Sequence, residues 1–166
     1  PQAATPKTAN LTRIRYAEKP VFVAHFYSPQ AWASLEALAA SPAQDLTSSA
    51  ARELVQAAQR MHGDGVAKLL AQERVEIHVD DLAGLMGHID DYVGAEGRFT
   101  PLVESSELFL PLPELAGIEI VDTPGMNDPV VSRTDKTREY MAQCDVVFFL
   151  SPAPRFLDES DQQLLA

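Results

Sequence analysis

LAGIEIVDTPGMNDPVVSRTDKTREYMAQCDVVFFLS, residues 115–151, is the stretch that decides the fold class of this chain. Two nearly all-apolar runs, residues 118–121 (IEIV) and 146–150 (VVFFL), flank a turn and a polar segment with helical character. Short apolar strands joined by a helical crossover are typical of a parallel sheet that helices cover on both faces. The stretch therefore predicts an α/β fold in which both runs are buried strands.

The turn Asp122-Thr123-Pro124-Gly125 follows the first predicted strand directly. In such sheets ligands bind beyond the carboxyl ends of the strands. A carboxylate there can hold the Mg²⁺ of a nucleoside triphosphate, and a glycine lets a backbone N–H approach the terminal phosphate. Thr123 and Pro124 stiffen the turn between them. Since Asp, Pro and Gly are also ordinary turn residues, a purely structural turn is the alternative interpretation.

The turn and its surroundings resemble a known family. Residues 118–130 (IEIVDTPGMNDPV), 132–152 (SRTDKTREYMAQCDVVFFLSP) and 156–165 (FLDESDQQLL) are similar to the switch II region of dynamin-like GTPases, particularly bacterial ones. Residues 1–16 (PQAATPKTANLTRIRY) resemble the switch I region of the same family. The resemblance implies that Thr8 is the catalytic switch I threonine and a metal ligand. It also implies that Asp122 binds Mg²⁺ and that Asp122, Thr123, Pro124 and Gly125 contact the nucleotide.

The resemblance implies an incomplete P-loop NTPase-type GTPase domain with three layers. Residues 1–27 would be switch I and a strand pair, residues 28–97 a helical insertion, and residues 98–166 a strand, switch II, the crossover helix and the next strand. The phosphate-binding motif G-x-x-x-x-G-K-[ST] and the base-reading motif are absent from the sequence, and residues 63–68 (GDGVAK) have the wrong spacing and a helical context. Truncation at both ends is the simplest explanation, and it would remove the strand expected between the two apolar runs.

The function implied by the resemblance is GTP hydrolysis with Mg²⁺ in the full-length protein, coupled to self-association through the GTPase domain or to membrane remodelling. Membrane contact would involve regions outside this segment, in a cytoplasmic protein that is peripheral at the inner face of the membrane. Residues 1–166 alone are expected to be inactive, poorly stable and almost unable to bind GTP. Two alternatives stay open. One is a non-catalytic interaction domain that retains a relic switch II turn, and the other is an unrelated acidic hydrolase that uses Asp122 with a second carboxylate.

The charge of the chain limits its partners. The formal net charge is −11 and the pI is about 4.6, which argues against nucleic-acid binding and against electrostatic attachment to anionic lipid. Hydrophobic residues make up 46% of the sequence and the mean hydropathy is −0.10, values typical of a folded globular protein. The only cysteine, Cys144, is predicted to be a small core residue in a reducing cytoplasm.

Local signals predict most of the remaining elements. Residues 11–16 and 21–27 suggest a β-hairpin or two consecutive antiparallel strands. Ser28-Pro29 predicts the start of a helix and Ser41-Pro42 its end. Further helices are expected at about 46–61, at 66–72 and from Leu82 to Tyr92 after an aspartate cap, and a strand at 102–110. Glu76, His78 and Asp80 alternate as metal ligands would, although a solvated edge is favoured, and His25 is expected to be a half-buried strand residue.

Overall fold

A computed structural model of the chain describes residues 10–94, 96–123 and 139–148. Short 3₁₀ turns at Gly63–Gly65, Thr100–Leu102 and Pro113–Leu115 connect some of the main elements. Residues 139–141 are helical. The main elements, in chain order, are β1 (Leu11–Tyr16), β2 (Val21–Phe26), α1 (Pro29–Ala40), α2 (Leu46–His62), α3 (Val66–Leu70), β3 (Arg74–His78), α4 (Leu82–Val93), β4 (Val103–Leu110) and β5 (Glu119–Asp122).

The strands form one mixed sheet in the order β3-β2-β4-β1-β5. β4 lies at its centre, parallel to β1 and antiparallel to β2. β3 extends one side by antiparallel pairing with β2, and β5 pairs antiparallel with β1 on the other side. The mixed sheet with its helices confirms the predicted α/β class. Glu76 and His78 belong to β3, which lies at one edge of the described sheet, in agreement with the solvated edge that the sequence favoured.

The helices begin where short side chains satisfy the backbone N–H groups that helix starts leave free. The Ser28 hydroxyl accepts a hydrogen bond from the Ala31 N–H at 3.1 Å, ahead of proline at the first helical position. Asp45 caps α2 and Asp81 caps α4, each accepting from a backbone N–H at 2.7 Å. These are local signals, and the predicted positions of α1, α2 and α4 are confirmed.

The hydrophobic core lies between one face of the sheet and the helices. Phe22, Ala24 and Phe26 of β2 belong to the same buried cluster as residues of all four helices. We call this side of the sheet the helix-covered face. Its buried partners from the helices and from the start of β4 are Trp32, Leu35, Ala51, Ala58, Val66, Leu70, Leu85, Leu102 and Val103. No helix in the described part of the chain has the length and apolar composition needed to cross a bilayer.

Two sequence expectations about strand pairing are corrected. The hairpin of β1 and β2 is wrong, because β4 pairs with both strands and separates them. The run 118–121 is not buried in a parallel sheet: its pairing in the described residues is antiparallel to β1, and Ile118 and Ile120 are 55% and 47% exposed. An apolar run indicates a strand but does not specify the direction of its neighbour.

Cys144 is exposed rather than part of the core. It was expected at the head of a buried strand, but residues 146–148 do not form a strand and their side chains are exposed. Residues 149 and 150 of the predicted second strand lie outside the described residues. Tyr140 and Met141, in the described end of the predicted crossover helix, are half-buried.

Candidate functional site

The candidate site is at the end of the sheet where β5 finishes and β1 begins. In the antiparallel β1–β5 pair, Thr12 lies opposite Asp122. The amino end of β1 is therefore next to the carboxyl end of β5. Thr8 precedes Thr12 by only four residues, and Thr123 follows Asp122 directly. Of the predicted site residues, the structure describes Asp122 and Thr123, whereas Thr8, Pro124 and Gly125 lie outside the described residues.

Asp122 is available to a ligand from solvent. Asp122 is exposed to solvent. Within the described residues, its carboxylate makes neither a hydrogen bond nor an ion pair. No group of three or more described His, Cys, Asp or Glu residues is arranged to hold a metal. Mg²⁺ that arrives with a triphosphate needs only one or two protein carboxylates, because water and phosphate oxygens complete its shell. The chemistry of Asp122 thus fits a hydrated magnesium ion.

Thr12 has a structural role in this arrangement. Its hydroxyl lies 2.9 Å from the hydroxyl of Ser106, which is completely buried. Residues opposite each other in a sheet point to the same face, so Thr12, Ser106 and Asp122 share the helix-covered face. This hydrogen bond ties β1 to the central strand β4 beside the candidate site.

Alternate residues of the same strands form an ionic cluster on the opposite face, which we call the charged face. Arg13 donates from Nε to Glu119 Oε1 at 2.7 Å, and Arg15 donates from Nε to Glu119 Oε2 at 2.6 Å. Both arginines also face Glu107 of β4, at 3.8 and 3.4 Å, and His25 Nε2 lies 2.9 Å from Glu107 Oε1. The cluster links four neighbouring strands, and it confirms that His25 is a half-buried strand residue.

Arg13 is the centre of the ionic cluster. Burial lowers the pKa of Arg13, but the hydrogen bond that Arg13 donates to Glu119 and the charges of Tyr140, Glu119 and Glu107 raise it above the usual value overall. The guanidinium lies 5.4 Å from the ring centre of Tyr140, within the range of a cation–π contact. An open cleft of about 440 Å³ lies beside Arg13, His25, Glu107 and Tyr140 and does not include Asp122.

Sequence reasoning missed this ionic cluster as well as the buried Asn10. Arg13 and Arg15 occupy alternate positions of β1, and glutamates occur in β4 and β5. Opposite charges on the same face of a sheet attract one another, but the pattern could have predicted the cluster only if β4 had been placed beside β1. Of the alternating metal-ligand candidates, Glu76 and His78 lie on the exposed edge strand β3, with Glu76 Oε1 2.8 Å from His78 Nε2, and Asp80 is exposed beyond the end of that strand.

The five-stranded mixed sheet and its layer of helices define an α/β domain. A sequence model of the dynamin family matches residues 1–166, and the chain belongs to that family. Two chains from an oligomerised bacterial dynamin pair, described as a mechanism for long-range sensing and tethering of membranes, have similar structures. Their TM-scores are 0.62 and 0.64, with 20% and 21% sequence identity over 99% of this chain. No match was found among curated proteins.

This chain spans only a fraction of those structures. It covers 25% of the length of the first and 21% of the second. At these identities the similarity establishes the fold, which agrees with the predicted GTPase-type class.

Proposed function

We propose that this chain is part of a GTPase domain that binds and hydrolyses Mg²⁺-GTP in the full-length protein. The pairing of Thr12 with Asp122 supports the proposal, because the start of β1, which follows the predicted switch I loop, lies beside the end of β5, which precedes the predicted switch II turn. A triphosphate bound there would be within reach of residues on both sides of the β1–β5 pair. Membership of the dynamin family supports GTP as the nucleotide.

Each proposed residue has a distinct role. Asp122 would hold the magnesium ion through its exposed carboxylate, and Thr8 would order the metal and the attacking water. The backbone N–H of Gly125 would contact the terminal phosphate, while Thr123 and Pro124 keep the turn in one conformation. Bound Mg²⁺ would supply charge neutralisation at the phosphates.

Self-association through the GTPase domain and membrane remodelling are proposed for the full-length protein. The structural relatives form an oligomerised pair that is described as tethering membranes. Because this segment has a net charge of −11, we place any contact with anionic lipid outside residues 1–166. The proposed location is cytoplasmic, at the inner face of the membrane.

Hydrolysis by the full-length protein tests the proposal. Phosphate release from GTP should require Mg²⁺, and Asp122→Ala should lower kcat at least about 100-fold, as expected when a charge-stabilising group is removed. Asp64→Ala is the matched control, because Asp64 is also exposed but lies in the turn after α2. Equal turnover in the wild type and Asp122→Ala would remove Asp122 from the mechanism.

The same measurements distinguish the alternative, a non-catalytic interaction domain with a relic switch II turn. The absence of a G-x-x-x-x-G-K-[ST] motif from residues 1–166 favours that alternative for this segment alone. A full-length protein that neither binds nor hydrolyses GTP would support the relic. Micromolar GTP binding by residues 1–166 alone would contradict the expectation that the phosphate-binding loop lies elsewhere.

A further inference from the structure

Asn10 stands directly before β1, and its contacts are unusual for a polar residue. It is only 1% exposed. Its side-chain Nδ2 donates a hydrogen bond to the backbone carbonyl of Tyr92 at 3.3 Å. Its Oδ1 has no hydrogen-bond partner in the described part of the chain. Burying an unpaired carbonyl oxygen is unfavourable, so stability alone does not explain an asparagine at position 10.

The acceptor is at the carboxyl end of α4. The last four carbonyl groups of a helix have no partner within the helix. Here Asp90 O accepts from the Gly94 N–H at 3.0 Å, and Asp91 O accepts from the Phe99 N–H at 2.7 Å. Asn10 supplies the corresponding donor for Tyr92. The hydrogen bond thus joins the start of β1 to the end of α4, 82 residues later in the sequence.

Aromatic packing holds Tyr92 in place. Its ring stacks on Phe99 with centroids 4.9 Å apart and contacts Phe22 of β2 at 5.6 Å. Phe99 in turn stacks on His62 at the end of α2, at 5.4 Å. Asn10 therefore donates its hydrogen bond to a residue whose position in the helical layer is held by aromatic packing.

On the other side, Asn10 leads into the proposed nucleotide site. Leu11, the next residue, is 1% exposed, and Thr12 lies opposite Asp122. Thr8 is two residues before Asn10. We propose that Asn10 is a positioning residue, which ties the start of β1 to the carboxyl end of α4 and so sets the amino end of β1 relative to Asp122. This inference rests on the proposed function of that sheet end.

The test replaces Asn10 by a residue of similar shape without polar groups. In the full-length protein, Asn10→Leu loses the bond to Tyr92 but also removes the buried unpaired oxygen, so the two effects on stability oppose each other. We expect the melting temperature to stay near that of the wild type while kcat for GTP falls about 5- to 10-fold, with KM changed less than about twofold. An unchanged kcat would overturn the inference.

Thr100→Val is the matched control. The Thr100 hydroxyl donates to the carbonyl of Gly94 at 2.8 Å, close to the same helix end, but Thr100 does not lead into the site. This variant should lower the melting temperature and leave kcat unchanged. If Thr100→Val reduces kcat as much as Asn10→Leu does, the effect is general loosening of α4 and the inference is wrong.

Asn10→Asp provides a pH-dependent readout. When its carboxyl group is protonated, the hydroxyl can donate to Tyr92 O, whereas the ionised form places negative charge against that carbonyl. Burial raises the pKa of such a carboxyl group. Activity relative to wild type should therefore recover as the pH is lowered from about 8 to about 6. A constant ratio across this range would contradict the role of the donated hydrogen bond.

Amide hydrogen exchange decides the inference independently of catalysis. Asn10→Leu should accelerate exchange at the amides of Leu11 and Thr12, and Thr100→Val should not. If the wild type does not hydrolyse GTP, the proposed function fails, but faster exchange in Asn10→Leu still supports the link between α4 and β1. Unchanged exchange at Leu11 and Thr12 overturns it.

Discussion

Thr12 of β1 lies opposite Asp122 of β5, and both side chains point to the helix-covered face of the sheet. The two residues come from segments separated by 110 positions in the sequence. Their pairing places the start of β1, which follows the predicted switch I loop, beside the end of β5, which precedes the predicted switch II turn. The predictions about the proposed site depend on this end of the sheet.

The first prediction separates two threonines of the same segment. Thr8→Ala in the full-length protein should lower kcat at least about 10-fold, because its hydroxyl is proposed to order the metal and the attacking water. Thr12→Val should retain kcat and lower the stability, since the Thr12 hydroxyl bonds to buried Ser106 at 2.9 Å. Single-turnover hydrolysis and thermal unfolding measure the two effects. A loss of hydrolysis in Thr12→Val alone would reverse the two roles.

Local chemistry made the helices predictable from the sequence. Ser28 with Pro29, Asp45 and Asp81 act on N–H groups a few residues away, so their effect does not depend on the rest of the fold. In the structure, Arg13 and Arg15 lie on one face of β1, and Thr12 and Ile14 lie on the other. The turn at residues 122–125 was predicted from its position directly after an apolar run, and the structure describes only its first two residues, Asp122 at the end of β5 and Thr123.

Long-range pairing was not predictable in the same way. β4 lies between β1 and β2 in the sheet, although it begins at Val103 and β2 ends at Phe26. No local signal in the sequence specifies that position. The exposure of Ile118, Ile120 and Cys144 depends on which elements cover them, which an apolar pattern does not reveal. The ionic cluster on the charged face became visible only once β4 was placed beside β1.

The ionic cluster leads to the second prediction. Glu119→Gln removes the charge that both Arg13 and Arg15 contact, but the side chain of Glu119 is 34% exposed and water screens it. The free energy of unfolding should fall by about 1 kcal/mol at low salt. The loss should shrink in about 1 M salt, where the Debye length is short. Urea unfolding at both salt concentrations measures it.

Glu76→Gln is the control for this prediction. Glu76 contacts Arg74 at 3.0 Å, but the two side chains are 36% and 62% exposed. Its replacement should change the stability little at either salt concentration. An equal effect at Glu76 and Glu119 would mean that the cluster on the charged face contributes no more than an ordinary surface pair.

The third prediction concerns pH. The backbone hydrogen bond from Ser48, at 2.7 Å, lowers the pKa of the Asp45 carboxyl group, while desolvation acts in the opposite direction. A lowered pKa in the folded state means that the stabilisation is present above the unfolded pKa of about 3.9 and is lost as the pH falls through the folded value. The advantage of wild type over Asp45→Ala in urea unfolding should therefore shrink below about pH 4.

Asp45→Asn distinguishes charge from capping. The amide oxygen of asparagine also caps a helix but does not titrate. The advantage of Asp45→Asn over Asp45→Ala should stay constant over the same pH range. If that advantage also shrinks in acid, the pH dependence belongs to another group.

The last prediction compares two glycines near α4. A Cβ at Gly97 would lie 2.3 Å from Asp90 O and 2.8 Å from Asp91 O, which are backbone atoms at the end of the helix. Gly97→Ala should therefore lower the free energy of unfolding by about 1–3 kcal/mol, since the backbone has to shift. Gly87 lies within α4 with nothing within 4 Å of its added Cβ. Gly87→Ala should stabilise the protein by about 0.5–1 kcal/mol, because alanine loses less chain entropy in a helix. Urea unfolding of both variants tests the pair, and an unchanged or raised stability of Gly97→Ala would show that the turn after α4 tolerates a side chain that this geometry excludes.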